Sequence, residues 1–119
     1  MAVITAIAGT RTTLTTSALN SLAASTYVSA GTIDLTATDP LDVLVEVAVT
    51  PGATSGNKQL VVFARVSLDG TNFTTGPVSG STATDEPNLK FLGTVPLNTN
   101  STLQRNTLSV MSSLGYIPA

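Results

Sequence analysis

The sequence predicts an all-β fold: an antiparallel β-sandwich, of jelly-roll type, with one short helix near the N-terminus. Three observations point there. Apolar residues alternate with polar ones in several runs of strand length, which is the period of a half-buried strand. Clusters of Gly, Asn, Asp, Ser and Thr separate those runs, as hairpins and sandwich corners require. Pro40, Pro51, Pro77, Pro87, Pro96 and Pro118 fall between the runs or at their ends, where a missing N–H costs no ladder hydrogen bond. A chain of 119 residues suits one domain. The organisation expected is an extended arm or first strand over residues 1–15 and a single sandwich domain over 16–119.

Taken in order, Val3, Thr5 and Ile7 alternate with Ala2, Ile4 and Ala6, which fits an extended arm. No basic residue precedes the apolar run, and Arg11 follows it, so a secretory leader is not expected. Thr16 caps "SALNSLAAS", where Ala18, Leu19, Leu22 and Ala23 share a helical face. About two turns long, that helix is too short to stand alone and would plug one end of the sheet. "TYVSAGTIDLT" (26–36) reads as a strand with a bulge at Gly31. "LDVLVEVAVT" (41–50) puts Leu41, Val43, Val45, Val47 and Val49 on a buried face, with Asp42, Leu44, Glu46, Ala48 and Thr50 opposite. "TPGATSGN" is a loop. "KQLVVFARVSL" (58–68) directs Leu60, Val62, Ala64, Val66 and Leu68 inward and Gln59, Val61, Phe63 and Arg65 outward. A long hydroxyl- and glycine-rich loop (75–87) follows a turn. Strands over 88–97 and 103–111 complete six to eight short strands.

Composition narrows the functions. Cysteine and histidine are absent, which removes disulfides, thiolate metal sites, the usual general base and Ser-His or Cys-His nucleophiles. Lys and Arg number five and Asp and Glu seven, so only 10% of residues are charged against about 25% in ordinary domains. Threonine (21) and serine (12) take their place. Five scattered cations give no footprint for nucleic acid, and no apolar run reaches the ~18 residues of a membrane helix. Such a surface is either a neutral solvated exterior or one covered by neighbouring subunits, because charge is depleted at interface cores.

Few residues can carry chemistry. "SLDGTNF" (67–73) holds Asp69-Gly70 directly after an alternating strand, a hairpin signal, with Phe73 folded over the turn or onto the next strand. The rival is a ligand loop of the kind in sialidase-like propellers, Ser-x-Asp-x-Gly-x-Thr-Trp. Here Gly70 follows Asp69 without the spacer and the motif occurs once, so Asp69, Gly70 and Phe73 are expected to build a structural turn. Asp85 and Glu86 are the one adjacent carboxylate pair, but neighbours in an extended chain point to opposite faces. A glycosidase needs two carboxylates across a cleft, and two Tyr, three Phe and no Trp leave little for sugar stacking. A calcium site drawing on Asp39, Asp42, Asp69, Asp85 and Glu86 is the weaker alternative. Arg65 either pairs with Glu46 on a neighbouring strand or contacts another subunit. "NFT" (72–74) and "NST" (100–102) match the glycosylation pattern, which Ser/Thr-rich sequence produces by chance.

Together, "ALNSLAASTYVSAGTIDL", "LVEVAVTPGATSGNKQLVVFARVSLDGTNF" and "TDEPNLKFLGTVPLNTNSTLQRNTLSV" resemble small jelly-roll structural proteins of tailed-bacteriophage virions, of the capsid cement or decoration type. The resemblance spans roughly residues 17–117, and "GNKQ", "SLDGTNF" and "TDEPNLKFLGTVPLNTN" are its most specific parts. It implies a non-enzymatic virion component without cofactor. Its partners would be the major capsid protein and copies of itself, and its place the capsid exterior. In that family the stretch matching "LGYIPA" leads into a further apolar strand, whereas this sequence stops at Ala119. The sandwich is then completed differently, or by a neighbour's strand. The contacts expected with capsid or subunits are Val3, Ile4, Ile7 and Arg11 of the arm, Arg65, and Asp85 and Glu86 of the 75–87 loop. A tail, baseplate or head-fibre component is the alternative within this class. A carbohydrate-binding module for a host surface is the alternative outside it.

Overall fold

The computed structural model describes residues 22–35, 41–52, 56 and 58–118. Its regular structure is predominantly β: β1 (Tyr27–Val28), β2 (Leu44–Val49), β3 (Gln59–Ala64), β4 (Ser79–Gly80), β5 (Lys90–Pro96) and β6 (Gln104–Ser109), followed by a short helix, α1 (Val110–Leu114). A 3₁₀ turn occupies Glu86–Asn88. The strands form three two-stranded antiparallel ladders, β1 with β4, β2 with β6 and β3 with β5. In the second, Leu44 faces Ser109, Glu46 faces Thr107 and Val49 faces Gln104. In the third, Gln59 faces Pro96 and Val62 faces Gly93, but Phe63 faces Phe91. Leu92 is therefore the extra residue of a β-bulge, which increases the local twist.

Alternation explains the core. Leu92 on β5, Leu108 on β6 and Val110 on α1 are buried together. Half-buried Val43, Val45, Val62, Ala64, Leu114 and Ile117 pack around them. Among the described residues Val95 is the most deeply buried side chain, with no exposed surface. The β3–β5 and β2–β6 ladders are also tied by polar contacts, since Asn106 Nδ2 donates to the Thr94 carbonyl at 2.8 Å. Bulge and core meet at Gly93, where a Cβ would stand 2.5 Å from Leu108 Cδ2. Only a residue without a side chain lets β6 approach β5 so closely.

The helix corrects the sequence expectation. Within 16–25, residues 16–21 lie outside the described residues, and 22–25 are not helical: a turn covers Ala24 and Ser25, with Ser25 at φ 59°. The helix among the described residues stands at the other end, starting in the last two residues of the strand expected over 103–111 and running on to Leu114. Ser109 caps it, its Oγ accepting from the Ser112 N–H at 3.1 Å. Gly115 closes it in the left-handed conformation at φ 78°, its N–H bonded to the Met111 carbonyl at 2.8 Å. Asp42 reinforces the start, Oδ1 accepting from the N–H groups of Met111 (2.9 Å) and Val43 (2.7 Å) and Oδ2 from the Ser109 hydroxyl (2.5 Å). Those bonds, the Ser109 hydroxyl first, hold the Asp42 carboxyl below the ordinary carboxylate value.

Other boundaries shift for physical reasons. The strand expected over 26–36 shrinks to Tyr27–Val28, which has only the two residues of β4 to pair with. Leu41 and Leu68, expected inside, are 93% and 83% exposed, because both lie beyond the ends of their ladders. The valine face of β2, expected to be fully buried, is half-buried.

Candidate docking surface

Three features could serve a function, and each begins with local chemistry. The first is the corner that follows β3. Asp69 Oδ1 accepts from the N–H groups of Thr71 (2.8 Å) and Asn72 (2.7 Å), and Oδ2 from Asn72 Nδ2 (2.6 Å). The buried Ser67 hydroxyl donates to Asp69 Oδ1 at 2.9 Å and accepts from the Gly70 N–H at 2.9 Å. Gly70 supplies the positive φ, 74°. This web, led by the Asn72 backbone N–H, holds the Asp69 carboxyl far below its usual range. With both oxygens committed to its own loop, the carboxylate acts as the frame of a turn. Beyond it the chain returns along itself, Phe73 bridging Ser67 and the Thr74 N–H donating to the Val66 carbonyl at 2.9 Å.

The second feature is the loop over 75–87. Asp85 is exposed and precedes the 3₁₀ turn, in which the Asn88 N–H donates to the Asp85 carbonyl at 3.0 Å. The half-buried Glu86 accepts from the Tyr27 hydroxyl, and Asn88 Nδ2 donates to Thr75 Oγ1 at 2.8 Å. The first bond fastens the loop to β1 and the second ties its two ends together, and Glu86 is bonded within the chain. Among the described residues no group of three or more carboxylates gathers where a cation could be held, and no helix is long and apolar enough to cross a membrane.

The third feature emerges from pairing. β3 alternates, so Val61, Phe63 and Arg65 point away from the core that Leu60, Val62 and Ala64 face. The bulge on β5 sets Phe91 directly opposite Phe63, and the rings meet edge to face at 6.2 Å between centroids and 71° between planes. The return strand adds Phe73, and the Arg65 guanidinium lies 5.8 Å from its ring centroid. All three phenylalanines of the chain thus share one face, with Phe91 55% and Phe73 36% exposed. Such contacts are worth roughly 0.5–1.5 kcal/mol for an aromatic pair and 0.5–1 for an exposed cation on a ring. That is enough to hold the row in place without hiding it.

Arg65 does not pair with Glu46, contrary to one sequence expectation. β2 neighbours β6 and not β3, so Glu46 meets Arg105 at 3.7 Å instead. Arg65 Nε donates to the Thr74 carbonyl at 2.7 Å, and among the described residues the guanidinium has no carboxylate partner. Val3, Ile4, Ile7 and Arg11 lie outside the described residues, as does Asp39. What sequence reading missed is the convergence of the aromatics. The available signal is that β3 carries Val61 and Phe63 on its outward face between Gln59 and Arg65, which leaves apolar surface there to be covered. Comparison with protein-family models, with curated proteins and with solved structures gives no match.

Proposed function

We propose that this chain is a non-enzymatic structural protein of a tailed-bacteriophage virion, a cement or decoration protein. It sits on the outer capsid shell and bridges neighbouring major capsid subunits. The observation that carries this reading is the row of Val61, Phe63, Phe73 and Phe91 beside Arg65, in which Val61, Phe73 and Phe91 are exposed and Phe63 is half-buried. Aromatics and arginine are the residue types enriched at interface cores, while most charges are depleted there. A chain only 10% charged that gathers its three phenylalanines on one face and leaves two of them exposed is built to be covered. The resemblance of residues 17–117 to virion proteins names what covers it. The finer fold belongs to the same proposal. β2–β6 and β3–β5 nest one inside the other along the chain, as paired strands do in a jelly roll, and a jelly-roll sandwich is the architecture we infer.

Packaged DNA pushes capsid faces apart, and a bridging protein resists by holding adjacent capsomers. Many small apolar and hydroxyl contacts, repeated over the shell, do this without any strong single bond. Residues 1–15 would reach a neighbour and the loop over 75–87 would add a second contact, Asp85 being its exposed charge. The test is to titrate purified protein onto parent particles that lack it and follow the temperature of DNA release. Saturable binding with a raised release temperature is expected, and a chain without residues 1–12 would stay folded but not bind. Particles that neither bind the full chain nor gain stability from it would refute the reading.

A further inference from the structure

The aromatic face also has a chemical signature that specifies what can sit on it. We propose that it docks a flat apolar segment of a partner protein carrying an Asp or Glu, whose carboxylate is clasped by the Arg65 guanidinium while Phe63, Phe73 and Phe91 take the flanking apolar side chains. The proposal rests on the reading above only in naming that partner as a capsid subunit.

Charge complementarity is the first argument. Arg65 is the one cation of the row, and its Nε is already spent on the Thr74 carbonyl. The two remaining nitrogens have no protein acceptor among the described residues. They form the planar, two-pronged donor that fits a carboxylate and no neutral group equally well. Asp69, four residues on in the sequence, cannot serve, because both its oxygens are taken within the corner. A carboxylate from outside completes the pair.

Preorganisation is the second argument. Arginine normally loses much side-chain freedom on binding, which offsets its contacts. Here the Nε bond and the Phe73 ring hold the guanidinium at the edge of the apolar row before any partner arrives. The opposite ladder provides the contrast. Its outward positions carry Leu44, Glu46, Ala48, Arg105 and Thr107, and there the arginine is matched by its own glutamate. That face is electrically complete and has no aromatic ring. The two faces therefore differ in the property that binding a carboxylate-bearing segment requires.

The experiment uses the full chain and particles lacking it, with four variants checked for folding by circular dichroism and melting temperature. Arg65→Ala and Phe91→Ala are expected to weaken binding about tenfold or more, as truncated anchors at an interface centre do. Arg65→Lys is expected to fall well below wild type, since an ammonium cannot bind a carboxylate bidentately. Arg105→Ala removes the same charge from the other ladder and is expected to bind like wild type. Hydrogen exchange on the bound chain is expected to slow over residues 59–65 and 90–94. Wild-type binding by Arg65→Lys would refute the carboxylate clasp. Protection confined to β2 and β6, or equal losses for Arg65→Ala and Arg105→Ala, would refute the face. If the wild-type chain does not bind particles at all, the capsid reading fails. Sedimentation then decides the occupant: self-association abolished by Arg65→Ala assigns the face to a second copy, and either that result or a monomer overturns the capsid partner.

Discussion

Replacing Gly93 with alanine probes the point where the two larger ladders touch. An ideal Cβ there lies 2.5 Å from Leu108 Cδ2 and 3.5 Å from both Cγ and Cδ1 of the same leucine. The first distance is about 1 Å inside ordinary carbon contact, so Leu108 must leave its position or β5 must shift. Leu108 is buried among Leu92 and Val110, which leaves it nowhere cheap to go, and overpacking of this kind costs about 1–3 kcal/mol. Leu108→Ala alone empties part of the core and costs about 2–4 kcal/mol. In the double variant the added methyl enters the space the leucine has vacated. The cost of the double variant is then expected to fall short of the sum of the two single costs by about 1–2 kcal/mol. Any backbone strain of alanine at position 93 is common to the single and double variants and cancels in that difference. Urea unfolding of the four proteins at neutral pH measures it. Costs that add to within about 0.5 kcal/mol would mean that Gly93 and Leu108 are not in contact, and the packing of β5 on β6 would be wrong.

Other consequences are simpler. Asp42 and Asp69 hold their protons less tightly folded than unfolded. The stability they confer is therefore complete above the ordinary value of 3.8 and is lost as pH falls from there towards their folded values. The urea midpoint is expected to drop below about pH 4 in the wild type and to drop less steeply in Asp42→Asn/Asp69→Asn. Gly115→Ala puts a side chain at φ 78° and is expected to cost about 1 kcal/mol, read as a lower melting temperature. Ser109→Ala removes the cap of α1 and one bond to Asp42, for about 1–2 kcal/mol by urea unfolding. Tyr27→Phe removes the bond to Glu86 and is expected to speed proteolysis within residues 75–87 while leaving cleavage at the Asp69 corner unchanged.

What was legible in the sequence follows from how local each interaction is. The Asp69 corner could be read because its partners, Ser67 to Asn72, all lie within a few residues. β2, β3, β5 and β6 could be read because alternation marks a face whatever the strand pairs with. Pairing itself left no such trace. Nothing in "LVEVAV" says that its neighbour is "QRNTLS" and not "QLVVFA", so the sequence leaves a pair of Arg65 with Glu46 open as one of two alternatives although β2 lies beside β6. The same gap hid the meeting of Phe63 with Phe91, which depends on a bulge at Leu92 and Gly93. A glycine inside a strand is the available clue, and the sequence offers the same clue at Gly31. The C-terminal helix was missed because Leu108 and Val110 continue the strand alternation. The cap at Ser109 and the stop at Gly115 are six residues apart in the chain and signal only one turn.

The capsid role is the central claim, and it is tested most directly by immunogold labelling of intact parent particles with antibodies against the recombinant chain. Gold spread over the head is the result predicted. Gold confined to the tail or its tip, or a particle in which mass spectrometry finds no copy of the chain, would contradict it.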